Sequence, residues 1–166
     1  MRELYLRNAL LAIDHVRTKL PLGAGNIPGN PHVNAAVQAV QRAREEAAEL
    51  LRAGALHSSS MIATTAKVEG AGNCGEQATL AFEYLKKIGI SPIELWAVDP
   101  IRGDHAFVVI GRPATASDRW VDNTWGDAVF CDPWDNEAEA VADNEDKYGT
   151  SLVLQQRWVR TVSADF

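Results

Sequence analysis

Residues 72–89 read GNCGEQATLAFEYLKKIG, and they mark the point where the chain changes from helical to extended patterning. Asn73 and Glu76 stand three apart in a capping-box arrangement, which starts a helix by satisfying its free amides. Ala78, Ala81, Phe82, Leu85 and Ile88 supply the buried face until Gly89. Cys74 therefore takes the first helical position. Downstream, the apolar period falls to about two residues in 93–98, 105–110 and 128–131, short β-branched or aromatic segments separated by turn residues. These are expected to be strands. Residues 112–127 form a long polar connection and Glu137 to Tyr148 an acidic surface helix, while 151–162 suits either strand or helix.

Upstream, Leu6, Leu10, Ile13, Val16 and Leu20 recur at helical spacing, predicting a helix over about 2–20 that is broken by 21–29. Asn30 before Pro31 signals the start of a second helix, which runs to about Ala53 with Gly54 past its end. Val33, Val37, Val40, Ala43, Ala47 and Leu50 form its narrow apolar stripe. The serines, threonines and glycines of 55–72 read as a loop leading to the Cys74 helix. The whole is expected to be a single α+β domain, with a helical N-terminal layer over 1–56 and a strand-bearing core over 57–166.

Composition narrows the function. A chain of 166 residues matches one domain of roughly 100–200 residues. Its 46% hydrophobic and 23% charged content excludes disordered, collagenous and coiled-coil classes. No apolar run approaches the length of a membrane span. The net charge of −6 repels phosphate backbones, so no nucleic-acid partner is expected. Residues 1–70 carry eight basic and six acidic side chains, and the remainder eight and sixteen, so the acidity is concentrated in the second half. The N-terminus lacks the apolar core and cleavage site of a secretory signal.

Three residues carry the chemistry. A thiol at a helix N-terminus meets the positive end of the macrodipole and unsatisfied amides, and both favour thiolate. Gly72 and Gly75 bracket Cys74 and leave room for a substrate carbonyl. His105 opens a strand, where an imidazole is firmly held yet reaches a cleft, as a general base must. Asp132 ends another strand before Pro133 and is placed to fix the imidazole tautomer, with Trp134 lying over the pair. Asp122 competes for the acid role, but the context of Asp132 between Cys131 and Pro133-Trp134 is the better match. Cys131 reads most simply as a strand residue facing the core; a disulfide with Cys74, or a metal site with Cys74, His105 and Asp132, is the alternative. The zinc-deaminase pattern is absent, and 135–146 lacks calcium-loop spacing, so no cofactor is expected.

The runs GNCGEQA at 72–78, DHAFVVI at 104–110 and VFCDPW at 129–134 resemble papain-like and transglutaminase-like cysteine enzymes, in particular the papain-fold toxin and effector domains that bacteria deliver into other cells. The resemblance covers about residues 60–135. It implies a papain-like fold in which N-terminal helices and the cysteine-bearing helix pack on a small antiparallel sheet. It also implies thiolate attack on an amide or thioester carbonyl, leading to proteolysis, glutamine deamidation or acyl transfer. In such enzymes the Cys74 amide would be one oxyanion donor and an amide side chain shortly before the cysteine often the other. Thr65, Lys67 and Glu69 stand there instead, which leaves Asn73, in competition with its capping role.

The expected activity is that of a cysteine hydrolase with Cys74 as nucleophile, His105 as base and then acid, and Asp132 as orienting carboxylate. Its expected partner is a protein substrate, with a basic surface if the acidic half of the chain faces it. The likeness implies a bacterial protein held in the cytoplasm before export and delivered to a target cell without a signal peptide. Two rivals keep the fold: a transglutaminase or acyltransferase using the same three residues, and a binding module in which they only pack.

Overall fold

The computed structural model describes residues 1–98, 104–118, 121–149 and 151–160. Four helices come first: α1 (Arg2–Lys19), α2 (Val33–Arg52), α3 (Ser59–Glu69) and α4 (Cys74–Lys87). Five strands follow: β1 (Ile93–Val98), β2 (Ala106–Ile110), β3 (Val129–Asp132), β4 (Glu137–Ala140) and β5 (Leu152–Trp158). They form one antiparallel sheet in the order β4-β3-β2-β1-β5. The α+β arrangement, with the cysteine opening a helix that packs on the sheet, is as expected.

Both faces of the sheet are covered, which explains why β2 is apolar at every position. Ala106, Val108 and Ile110 join Ala9, Ile13 and Val16 of α1 and Ala78, Phe82 and Leu85 of α4 in one core. Phe107 and Val109 face the other way, onto Trp96, Phe130 and the buried Trp125 of the connection after β2. The same alternation places Cys131 on the helical side and Asp132 opposite. Because β2 and β3 are antiparallel, with Val108 paired to Cys131, the start of β2 and the end of β3 fall side by side at one end of the sheet.

Several local expectations are corrected. Residues 55–72 are not a continuous loop, since α3 occupies Ser59–Glu69. The Ser58 hydroxyl accepts from the Met61 amide at 3.2 Å, so one of the serines that suggested a loop is the helix cap. Buried Ala63 and Ala66 let α3 lie close against its neighbours, and Thr65 returns its hydroxyl to the Met61 and Ile62 carbonyls. Ser58→Ala is expected to cost about 1 kcal/mol, read as a lower urea midpoint with unchanged slope.

The second helix starts later than Asn30. Its cap is His32, because the Asn30 side chain is spent on the preceding turn: it donates to the Leu22 and Ala24 carbonyls and accepts from the His32 amide. The apolar stripes of the first two helices are met in part, with Ile13, Val16, Leu20, Val40 and Ala43 buried as expected. Leu10 is 57% exposed and Val37 49%, while Ala9, Ala12, Ala36 and Ala39 are buried, so the smallest side chains take the tightest contacts.

The acidic segment from Glu137 is no helix. It is the edge strand β4 followed by a 3₁₀ turn at Val141–Asp143. Its alternation carries Glu137 and Glu139 on one side, where the Lys147 ammonium pairs with both carboxylates. Residues 151–160 contain β5, paired to β1, and 161–162 lie outside the described residues.

Candidate active site

Cys74 is the first residue of α4 and is almost fully buried. Its setting is built by the cap. The Glu76 carboxylate accepts from the Asn73 amide at 3.0 Å, and Arg44 of α2 grips the same carboxylate through Nε at 2.7 Å and Nη2 at 3.2 Å. The Asn73 Oδ1 accepts from the Gly25 amide at 3.0 Å, tying the turn after α1 to the head of α4. Gly72 is required by close approach, since a Cβ there would stand 2.7 Å from that of Glu76. Gly75 faces open space, where a Cβ would meet nothing within 4 Å. That opening suits an approaching carbonyl.

His105 stands immediately before β2, and Asp132 is the last residue of β3. The imidazole Nε2 lies 2.5 Å from Asp132 Oδ2. With Nε2 committed to the carboxylate, Nδ1 is the nitrogen left for the thiol, and Cys74 stands close enough to favour the charged ring. The Cys74 Sγ also lies 3.6 Å from the Asp104 carbonyl oxygen. The three expected residues are thus brought together.

Burial disfavours the charged imidazole, but hydrogen bonds to Asp132 and Cys74 outweigh it and raise the His105 pKa to about 10. Burial likewise works against the Asp132 carboxylate, yet the bond from His105, aided by Tyr148 and the Asp135 amide, holds its pKa below the usual range. The Asp132 Oδ1 accepts from the Trp134 and Asp135 amides at 3.1 and 3.2 Å, so the turn after Pro133 fixes where the carboxylate points. The Trp134 ring meets the imidazole edge-on, with centroids 5.5 Å apart.

The alternatives do not assemble. Asp122 caps the 3₁₀ turn Asn123–Trp125, accepting from the Thr124 amide and hydroxyl. Cys131 and Cys74 are both free, and Cys131 Sγ lies against the Ala9 carbonyl on the helical side of the sheet. Burial raises the Cys131 pKa, leaving an inert core thiol. Among the described residues, His105, Asp132 and Asp135 bring ligand atoms within 4.8 Å of one another. Four donors already occupy the Asp132 oxygens, so this group offers a cation little beyond the exposed Asp135 carboxylate.

Two residues escaped the sequence reading. Tyr148 donates its hydroxyl to Asp132 Oδ2 at 2.7 Å, and Asn26 accepts from the Trp134 indole at 3.0 Å. Each sits on a stretch that periodicity assigns to something else or to nothing, and their partners are more than a dozen residues away. Two cavities flank the assembly. One of about 500 Å³ runs from Asn73 past Gly25 and Asn26 along α2, and one of about 430 Å³ borders His105, with Asp104, Trp134, Asp135 and Tyr148 in its wall. Compared with known proteins, the chain matches no family model, and no curated protein matches it significantly.

Proposed function

We propose that the protein is a cysteine hydrolase acting on a carbonyl of a protein substrate. The observation that carries this reading is His105, bonded to Asp132 through one ring nitrogen, with the Cys74 thiol at the head of α4 beside it, 3.6 Å from the carbonyl oxygen of the preceding residue Asp104. Cys74 Sγ attacks the amide carbon, and the carbonyl oxygen takes the negative charge, facing the Cys74 backbone amide. His105 then gives its proton to the departing nitrogen, the C–N bond breaks, and an acyl-thioester remains. Water attacks that thioester while His105 takes its proton; the C–S bond breaks and Cys74 is restored. The balance is amide plus water to carboxylic acid plus amine, or ammonia when the substrate is a glutamine side chain. Asn73, with its Oδ1 held by the Gly25 amide, has its amino group left to assist the oxyanion.

The substrate class follows from the cavity beside His105. Asp104 and Asp135 stand in its wall with exposed carboxylates, while the Lys147 ammonium there is paired with Glu137 and Glu139, a balance that favours a basic protein surface. An amine drawn to those carboxylates could replace water, so transfer of the acyl group to an amine is the second reading. Mass spectrometry of a modified target separates the two, because deamidation changes mass far less than amine transfer. The place of action proposed with this chemistry, a host or competitor cell, rests on the resemblance of the three sequence runs to delivered toxin domains.

The test is thiol alkylation of the folded protein. Iodoacetamide at pH 7 is expected to label Cys74 rapidly and leave Cys131 untouched, and His105→Ala is expected to slow the Cys74 reaction roughly tenfold or more. Equal and slow labelling of both cysteines, or a rate indifferent to His105→Ala, would defeat the hydrolase reading and favour a module in which these residues only pack.

A further inference from the structure

We propose that Tyr148 is a positioning residue of this site, restraining Asp132 and the His105 ring and moderating how tightly the imidazole holds its proton; the proposal rests on the hydrolase reading above. Its hydroxyl donates to the same carboxylate oxygen that faces His105 Nε2, at 2.7 Å against 2.5 Å. Its ring lies nearly parallel to the imidazole, with centroids 5.6 Å apart and planes 22° apart. Behind it, Phe107 stacks at 3.9 Å and Phe130 meets it edge-on at 4.9 Å. The tyrosine is therefore held by the sheet and in turn holds both members of the pair.

The hydroxyl is a donor throughout the neutral range, because burial first, and then the Asp132 charge, push its ionisation upward. Other charged groups facing Tyr148 are Asp135, Glu137 and Lys147, whose ammonium lies 5.4 Å from the ring. Those acting on His105 are Asp132 and Cys74, with Asp104 next to it in the chain and Asp135 across the cavity. Among the described residues, only Asp132 contacts both rings through one oxygen.

Each donor on a carboxylate weakens its pull on the next. Removing the Tyr148 hydroxyl leaves more of the Oδ2 charge for the imidazole, so His105 keeps its proton to higher pH. An imidazole that holds its proton too firmly is a poor base for the water step. Tyr148 thus opposes the effect of Asp132 on His105, which gives the two residues opposite signatures.

The experiment follows the rate of Cys74 alkylation by iodoacetamide from pH 5 to 11, where the upper inflection reports loss of the His105 proton. Tyr148→Phe keeps the stacked ring and is expected to move that inflection up by about half to one pH unit, whereas Asp132→Asn moves it down. Site-specific 3-fluorotyrosine at position 148, a stronger donor in the same shape, is expected to move it down without depending on how well Tyr148→Phe folds. An inflection that stays in place in both Tyr148 variants, while Asp132→Asn and His105→Ala still alter the profile, overturns the role of Tyr148 alone. A wild-type rate insensitive to His105→Ala overturns the hydrolase reading and this proposal with it.

Discussion

Asp132→Ala is expected to lower unfolding free energy by about 3–5 kcal/mol, the usual loss when one member of a buried charged pair is removed. The carboxylate is fully buried and accepts from the His105 ring, the Tyr148 hydroxyl and the amides of Trp134 and Asp135. Alanine leaves those donors around a small hole. For a chain of this length the loss corresponds to a melting temperature lower by roughly 10 °C. The pH dependence has two signs. Asp132 is held below its ordinary pKa, so its contribution is present above about pH 4 and is lost as pH falls through the folded value. His105 is raised to about 10, so its contribution is complete below its unfolded pKa of about 6.5 and is lost as pH rises through the folded value. The pair therefore stabilises most between about pH 4 and 6.5. Urea midpoints at pH 6 and pH 9 are expected to differ in the wild type and to converge in Asp132→Asn; a pH 6 to pH 9 difference that persists in the variant would rule out the pair as its source.

Glu94→Ala is expected to have an effect of similar size far from the cleft. Glu94 is 1% exposed on β1, and its oxygens accept from Arg112 Nε and Nη2 at 2.7 and 2.9 Å, Arg157 Nη1 at 2.6 Å and Trp96 Nε1 at 2.9 Å. Arg112 is itself buried, lies over the Trp96 and Trp125 rings, and donates to the Ala116 and Ser117 carbonyls. One carboxylate thus fastens β1, β5 and the connection after β2. Its removal strands a buried guanidinium, for a loss of about 3–5 kcal/mol, measurable by urea denaturation. Glu94→Leu combined with Arg112→Met is expected to recover much of it, since the charge left without its partner, Arg157, is the partly exposed one. A single-variant loss below about 1 kcal/mol would show that water reaches the site.

The residues brought together at the site were legible because each was marked by a strong local signal. Asn73 and Glu76 announce the helix that begins at Cys74, and Pro133 ends the strand at Asp132. His105 precedes a run of five apolar residues that only a sheet covered on both faces would bury. What sequence could not convey was carried by tertiary contact. Ser58 reads as a loop residue until its hydroxyl is seen to cap α3, and the small residues after it gain their helix by packing against α2 and α4. The acidic segment holding Tyr148 suits a surface helix by composition, but the pairing of β4 with β3 and Lys147 with two glutamates decides otherwise. Tyr148 gives no local sign of its bond to Asp132, which depends on how the chain returns after that strand.

The bond from the Gly25 amide to Asn73, with that from Trp134 to Asn26, makes the turn after α1 part of the cleft's rim. The division at residue 57 is therefore a boundary in sequence and not in assembly. A fragment beginning there would lack the α1 residues that cover one face of the sheet, the Arg44 clamp on Glu76 and the edge on which the Asn73 turn rests. The helical layer is a scaffold from which the cysteine-bearing end of α4 is hung, and grafting the three short sequence runs onto another framework would transfer the side chains without their alignment.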